Sequence, residues 1–390
     1  MTHRSIVILL LAISATASAQ STAPRGWETS GLPALNFNAD EGFGYGIIIQ
    51  AFNYGNAGVK PYAYTIQPLL FLTTKGRRDV SVFFDAPHLL PYDWRWGAYL
   101  GREQQLSTPY YGVGNSTTYS KSSELPPNPY FYRYGRVGVR FSTDLQRPII
   151  GPLRILAGTG FRTSKIDQSP FDSGATLLSQ QTGGGAIADG RTVYARLGLV
   201  YDTRDRETGP TSGQWVEGLV QRGGKVLGGT HAFTRVTATA RSYLSLGERL
   251  VWAQRVSAQN LSGTVPFYEL FTLQGSFKDD EGLGGGGTVR GLPKNRYAGK
   301  GVLFANEELR WRAADFQLRR RASALVLSGF VDGGRVWERG LSSDGLLSDL
   351  HYGFGGGARL RYGENFVIAL DVGHSKESTA PIYIGLGYLF

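Results

Sequence analysis

The sequence predicts an all-β fold, a 16-stranded antiparallel transmembrane β-barrel with an inward-folded sixth outer loop. Three observations lead there. From about residue 31 onward hydrophobicity alternates with period two and shows almost no helical pattern. A secretory leader precedes that pattern. Connections between the alternating segments are short and long by turns, as in barrels with tight periplasmic turns and extended outer loops.

The leader reads MTHRSIVILLLAISATASAQ, with Arg4 ahead of an apolar run from Ile6 to Ile13 and then Ala17-Ser18-Ala19, a small-x-small cleavage pattern. A signal peptide is therefore expected over 1–19, a short N-terminal segment over 20–31 and the barrel over 32–390, integral to a bacterial outer membrane after cleavage. The apolar run is too short to span a bilayer as a helix.

Composition agrees with a barrel. The chain holds 54 Gly, 21 Tyr, 20 Phe and 7 Trp at a hydrophobic fraction of 41%, and no later apolar run is long enough for a transmembrane helix. It has no Cys, which removes disulfides and thiol chemistry. Its five His are not paired at metal-ligand spacing. The formal charge of +10 would suggest nucleic acid in a soluble protein. Here the arginines stand singly inside strands, as Arg136 and Arg140, Arg235 and Arg241, or Arg359 and Arg361. That spacing puts each pair on one face and predicts an arginine-lined lumen rather than a nucleic-acid surface.

Alternation is plain in three places. Tyr134, Arg136, Gly138 and Arg140 alternate with Gly135, Val137, Val139 and Phe141; Arg196, Gly198, Val200 and Asp202 with Ala195, Leu197, Leu199 and Tyr201; Arg359 and Arg361 with Ala358 and Leu360. Sixteen such segments fit, at 32–38, 43–54, 62–73, 79–85, 94–106, 130–143, 152–165, 191–204, 214–223, 232–245, 249–261, 301–313, 321–337, 351–362, 365–375 and 380–390. A sandwich of that many strands would leave open edges, whereas an even-numbered antiparallel barrel closes on itself. With the N-terminus in the periplasm, connections after even-numbered strands should be short, and 143–152, 205–213, 246–248 and 363–365 are. The outer connections 106–129, 165–190, 262–300 and 338–350 are long and rich in Gly, Ser and Pro.

The stretch Gly282–Arg312 stands out. It opens as a glycine-rich loop, carries Val289-Arg290-Gly291, and ends in a strand with Asn306, Glu308, Arg310 and Arg312 on one face. So many glycines are useful where backbone passes close to other groups. Asp332 shares a strand face with Phe330 and Gly334 and points into the lumen by parity. We therefore expect the loop to fold inward and set Arg290 between Glu308 and Asp332, a fork-shaped, charge-assisted arrangement. Glu307 falls on the lipid-facing parity, so it should lie near an interface or at a bulge. At the C-terminus, Tyr383, Gly385, Tyr388 and Phe390 end a predicted last strand whose terminal aromatics, Tyr388 and Phe390, would face lipid near the interfacial girdle.

Together these motifs resemble the BamA/TamA family, the bacterial surface antigen superfamily of outer-membrane assembly and translocation barrels. The resemblance rests on Asp202, Arg204, Asp205, Pro210 and Gly213 around one turn, on Val289-Arg290-Gly291, on Asn306, Glu308 and Arg310, and on Phe330, Asp332 and Gly334. It is most specific between Asp202 and Phe390, whose terminal strand is similar to the recognition strand of such barrels. The family implies that Arg290 of the sixth outer loop contacts acids on strands twelve and thirteen, here Glu308 and Asp332. Two departures stand against it: Leu292 follows Val-Arg-Gly where the family usually has an aromatic, and the segment 20–31 leaves no room for periplasmic domains. A separate periplasmic subunit would then be the expected partner, beside outer-membrane lipid and client outer-membrane proteins, with no nucleic acid.

The resemblance implies assembly or translocation of outer-membrane proteins or lipids through a lateral seam between first and last strands. A short first strand would make that seam weak. The alternative is a passive, anion-preferring channel or structural barrel. An enzyme is not expected, because no GxSxG occurs and the formal GxGxxG at Gly282–Gly287 lacks a strand–turn–helix setting. No cofactor follows either.

Overall fold

The computed structural model describes residues 25–390 apart from 39–41, 57, 75, 172–173, 320 and 364, and apart from the side chains of 32–42. The leader lies outside the described residues. Sixteen barrel strands follow in chain order: β1 (Trp27–Asn38), β2 (Gly42–Asn53), β3 (Tyr64–Thr73), β4 (Arg77–Ala86), β5 (Arg95–Pro109), β6 (Arg133–Ile150), β7 (Leu153–Asp167), β8 (Gly190–Asp202), β9 (Gly213–Gly223), β10 (Phe233–Ser245), β11 (Leu250–Gly263), β12 (Gly301–Leu318), β13 (Arg321–Trp337), β14 (His351–Tyr362), β15 (Phe366–His374) and β16 (Ile382–Leu386). They pair antiparallel in that order as one sheet, and β16 approaches β1 so that the sheet wraps into a barrel. No helix among the described residues is long and apolar enough to cross a membrane.

The barrel is inside out relative to a soluble sheet. Leu197, Leu199, Val216, Val220, Val236, Val256, Leu309 and Val331 are exposed on its outer wall, while Arg196, Glu217, Arg235, Thr237, Arg255 and Gln259 are buried within. Period-two alternation does this sorting, since neighbouring side chains leave opposite faces of the sheet. Outward apolar rows, with ladders that satisfy the backbone, are what a lipid-spanning barrel requires.

Several boundaries differ from expectation. The first strand starts at Trp27, because the ladder with β2 runs on to Trp27↔Asn53; it is not the short strand predicted at 32–38. The connection predicted over 143–152 shrinks to Gly151 and Pro152, as β6 and β7 stay paired up to Ile150↔Leu153. Glu307 does face outward, with no bulge in its pairing to Gln254. Its carboxylate accepts hydrogen bonds from Trp252 Nε1 at 2.7 Å and Gln254 Nε2 at 3.4 Å, which offsets its removal from water.

The C-terminus also departs from expectation. β16 ends at Leu386, and Gly387 takes a left-handed φ of 84° that breaks the pleat. The last residues turn into the lumen instead of continuing a lipid-facing strand to 390. Phe390 is 6% exposed and packs on Tyr243 and Ala253. There the Arg310 guanidinium lies 4.6 Å from the Tyr388 ring and 5.0 Å from the Phe390 ring, cation–π contacts that favour the inward position. Arg310 also donates to the Phe390 carbonyl at 3.1 Å.

Candidate functional site: the inward loop and its ionic anchors

The connection from β11 to β12 enters the barrel instead of standing above it. After a 3-10 turn at Phe267–Phe271, Thr272–Leu273 pairs with Asp280–Glu281 as a small hairpin. The glycine-rich segment then returns along the β12–β15 wall and is pinned by a Leu283–Tyr297 bridge. Val289 and Leu292 are buried with Leu283, Tyr297, Val302, Phe304 and Val336. Leu292 thus fills an apolar site, and Gly334 leaves the space that Leu283 and Phe304 use, since a Cβ there would sit 2.8 Å from each.

Arg290 ends fully buried between acids. Its Nε donates to Asp332 Oδ2 at 2.8 Å and its Nη2 to Asp332 Oδ1 at 3.0 Å, a two-pronged pairing reinforced by its own backbone N–H to Oδ2 at 3.0 Å. Nη1 reaches Glu308 at 3.4 Å and Asp371 at 3.3 Å. Both Glu308 and Asp332 are buried as parity on β12 and β13 requires. Burial alone would lower the pKa of this guanidinium; hydrogen bonds and charge from Asp332, then Glu308 and Asp371, carry it above its ordinary value. The cation also lies 3.5 Å over the Phe330 ring.

Asp371 and Arg359 belong to the cluster although the sequence did not single them out as a pair. Arg359, fully buried on β14, donates to both oxygens of Asp371 on β15 at 2.7 and 2.9 Å and approaches Glu308 at 3.4 Å. Arg310 comes within 3.4 Å of Glu308 as well. Three guanidiniums and three carboxylates therefore alternate in one low-dielectric patch. Such a set is stable only when its charges and lone pairs are matched.

Backbone contact completes the seat. Gly291 has a φ of 100°, and its N–H donates to Tyr383 Oη at 3.0 Å. A Cβ on Gly353 of β14 would lie 1.7 Å from the Arg290 carbonyl, and one on Gly373 of β15 would lie 2.6 Å from the Gly291 nitrogen. The loop thus rests directly on strand backbone. Asn306 ties its other flank, accepting from Arg255 Nε at 2.8 Å and donating to the Thr288 carbonyl at 2.6 Å.

A second anchor of opposite polarity lies across the lumen. Asp279, at the tip of the small hairpin, accepts from Arg140 at 2.6 Å and faces Arg196 at 3.9 Å and Arg162 at 4.0 Å. Lys278 beside it sits 4.5 Å over the Phe83 ring on β4. The sequence placed Arg140 and Arg196 in the lumen but did not single out Asp279 as their partner.

The residues around Asp202 lie elsewhere, at the barrel mouth where β1 begins and β16 ends. Arg204 donates to both oxygens of Asp202 at 2.9 Å and stacks 4.3 Å over Trp215. Asp205 accepts from the Thr211 and Ser212 backbone N–H groups at 2.8 and 3.2 Å; burial opposes its charge, but these bonds hold its pKa below the usual range. Buried Pro210 and left-handed Gly213 (φ 94°) shape this turn. On β16, Tyr383 faces the loop, and no atom beyond its own neighbours lies within 4 Å of where a Gly385 Cβ would be. Among the described residues no group of His, Asp and Glu could hold a metal ion.

With this geometry in hand, residues 62–387 match the Omp85 superfamily domain. The chain belongs to the Omp85 superfamily. Its barrel is similar to BamA from Haemophilus ducreyi lacking POTRA domains 1-3, with a TM-score of 0.54 at 14% identity over 93% of this chain and 69% of that one. It is also similar to CdiB from Escherichia coli, at a TM-score of 0.56 and 14% identity over 93% of this chain and 61% of that one. CdiB from Acinetobacter baumannii gives 0.51 and 13% over 93% of this chain and 60% of that one. At such identities the likeness is one of fold, and this Omp85 chain spans under two thirds of either CdiB. No curated protein matched the sequence significantly.

Proposed function

We propose that this Omp85 barrel aids insertion or translocation of outer-membrane proteins or lipids, using the junction of β1 and β16 as a lateral seam. The supporting observation is the asymmetry at that junction. β1 has twelve residues, whereas β16 has five before the chain leaves the wall at Gly387. An edge with few backbone hydrogen bonds is the natural place for another strand to enter. The anchored loop would brace the wall next to the seam, since Arg290 and Gly291 touch β13, β14, β15 and Tyr383 on β16. We assign the chain no catalytic role.

Clients, and any separate periplasmic subunit, would meet the mouth where β1 begins and β16 ends. The test uses the absence of native Cys. Cysteine pairs walked along β1 and β16 should form disulfides that block appearance of newly made outer-membrane proteins at the surface, with recovery on reduction. Full function in a locked barrel would contradict the seam. The rival reading, a passive anion-preferring pore, requires that shortening the inward loop raise conductance while client assembly is unaffected.

A further inference from the structure

The outer wall of β3–β6 carries aliphatic and aromatic rows, and two arginines interrupt them. Arg78 on β4 and Arg102 on β5 alternate with the buried Asp79, Ser81 and Gly101, so parity turns both outward, and both are exposed. Register sets them side by side. Arg78 pairs with Gln104 and Val80 with Arg102, two successive rungs of one face. The two arginines are therefore diagonal neighbours, with Cβ atoms about 7 Å apart, and Gln104 stands directly beside Arg78.

Among the described residues neither guanidinium has an ion pair, hydrogen bond or ring contact, and no Asp or Glu stands on the outward face of β3–β6. The acids of β4 and β5 point inward, where Arg77 holds Asp79, Arg95 holds Asp85 and Arg136 faces Glu103. Other outward cations are satisfied: Arg147 lies 5.6 Å over the Trp94 ring, while Arg191 donates to the Gly228 carbonyl and Arg222 to Thr234 Oγ1, both at 2.6 Å. Aliphatic residues flank the unmatched pair, Leu72 across from Arg78, Val139 across from Arg102 and Val137 across from Gln104. Unpaired charge on a lipid-facing wall is tolerated only toward an interface. Arg78 is the second residue of β4, next to an outer connection, so both side chains can extend along the wall to outer-leaflet headgroups.

We propose that Arg78, Arg102 and Gln104 form a site for the phosphomonoester headgroup of an outer-leaflet lipid. Two guanidiniums match the charge of a phosphomonoester, about −1.5 to −2 at neutral pH. Their N–H edges, with the Gln104 amide, supply donors from three directions around a tetrahedral group. The aliphatic flanks select a lipid over the free ion, because Leu72, Val80 and Val139 offer acyl chains a surface beside the headgroup. The site rests on the barrel spanning a membrane and does not depend on whether the seam opens.

Native mass spectrometry of the full chain released from detergent micelles tests this, with phosphatidic acid, phosphatidylglycerol or phosphatidylcholine of the same acyl chains added in turn. Phosphatidic acid should bind about tenfold tighter than phosphatidylcholine, with the monoanionic phosphatidylglycerol between them. Arg78→Gln and Arg102→Gln should each weaken phosphatidic acid about threefold or more, and the double variant should hold all three lipids alike. Heat-modifiable mobility of the variants should match wild type; if one single variant fails to fold, the other decides. Arg222→Gln, which removes an outward cation from β9, should leave binding unchanged. Phosphatidic acid bound no tighter than phosphatidylcholine, a double variant that keeps the preference, or an equal loss in Arg222→Gln overturns the proposal.

Discussion

Arg290 and Asp332 meet as a planar fork inside the barrel, through Nε to Oδ2 at 2.8 Å and Nη2 to Oδ1 at 3.0 Å, with neither side chain exposed. Everything around the pair serves its neutrality and its position. Glu308 and Asp371 share the cation, Arg359 and Arg310 balance the surplus acids, and Phe330 floors the guanidinium. A loop held this way is a structural part of the wall it touches, and it ties four consecutive strands next to the proposed seam.

Gly353 is the most sensitive backbone position in that seat. Gly353→Ala would set a methyl on the Arg290 carbonyl, so the loop must lift, at about 1–3 kcal/mol for overpacking. The variant should lose heat-modifiable stability and gain trypsin cleavage at Lys294 and Arg296. Gly329→Ala is the control, since nothing lies within 4 Å of its added Cβ, and it should behave as wild type.

Asp279→Asn should free the small hairpin from the opposite wall. Arg140, Arg162 and Arg196 would keep their charges without this counter-ion, a one-sided break of about 3 kcal/mol. Single-channel recordings should show larger or noisier conductance, while Arg290 remains seated.

Glu269 gives the loop a pH limit. Burial would raise its pKa, but Arg162 and Arg235, with hydrogen bonds from Arg235 and Thr192, bring it down to about 2 from an ordinary 4.5. A carboxylate depressed on folding contributes stability above its unfolded value and loses it as pH falls toward the folded one. Protection of the loop from an acid-active protease should therefore hold from neutral pH to about 4.5 and decline between there and about 2. Glu269→Gln should flatten that decline.

The lock was legible in the sequence where parity alone decides direction. Glu308 and Asp332 each sit in a long unbroken alternation, so their inward orientation followed from period two, and the glycines before Arg290 announced close backbone approach. Asp371 and Arg359 carried the same parity, but their membership depends on where a distant loop lands, which no local pattern encodes. Asp279 was hidden for the same reason. Phe390 misled because its spacing from Tyr388 fits a lipid-facing strand; Gly387 and the pull of Arg310 prevailed over that local preference.

A double-mutant cycle on Arg290 and Asp332 tests the central claim most directly. Arg290→Ala, Asp332→Ala and the double variant are compared by unfolding of the barrel in detergent, read by heat-modifiable mobility and circular dichroism. Each single change should destabilise by about 3–5 kcal/mol, and the double should cost no more than the worse single, because the second change removes the orphaned charge. Losses that simply add would place the two residues out of contact and contradict the account.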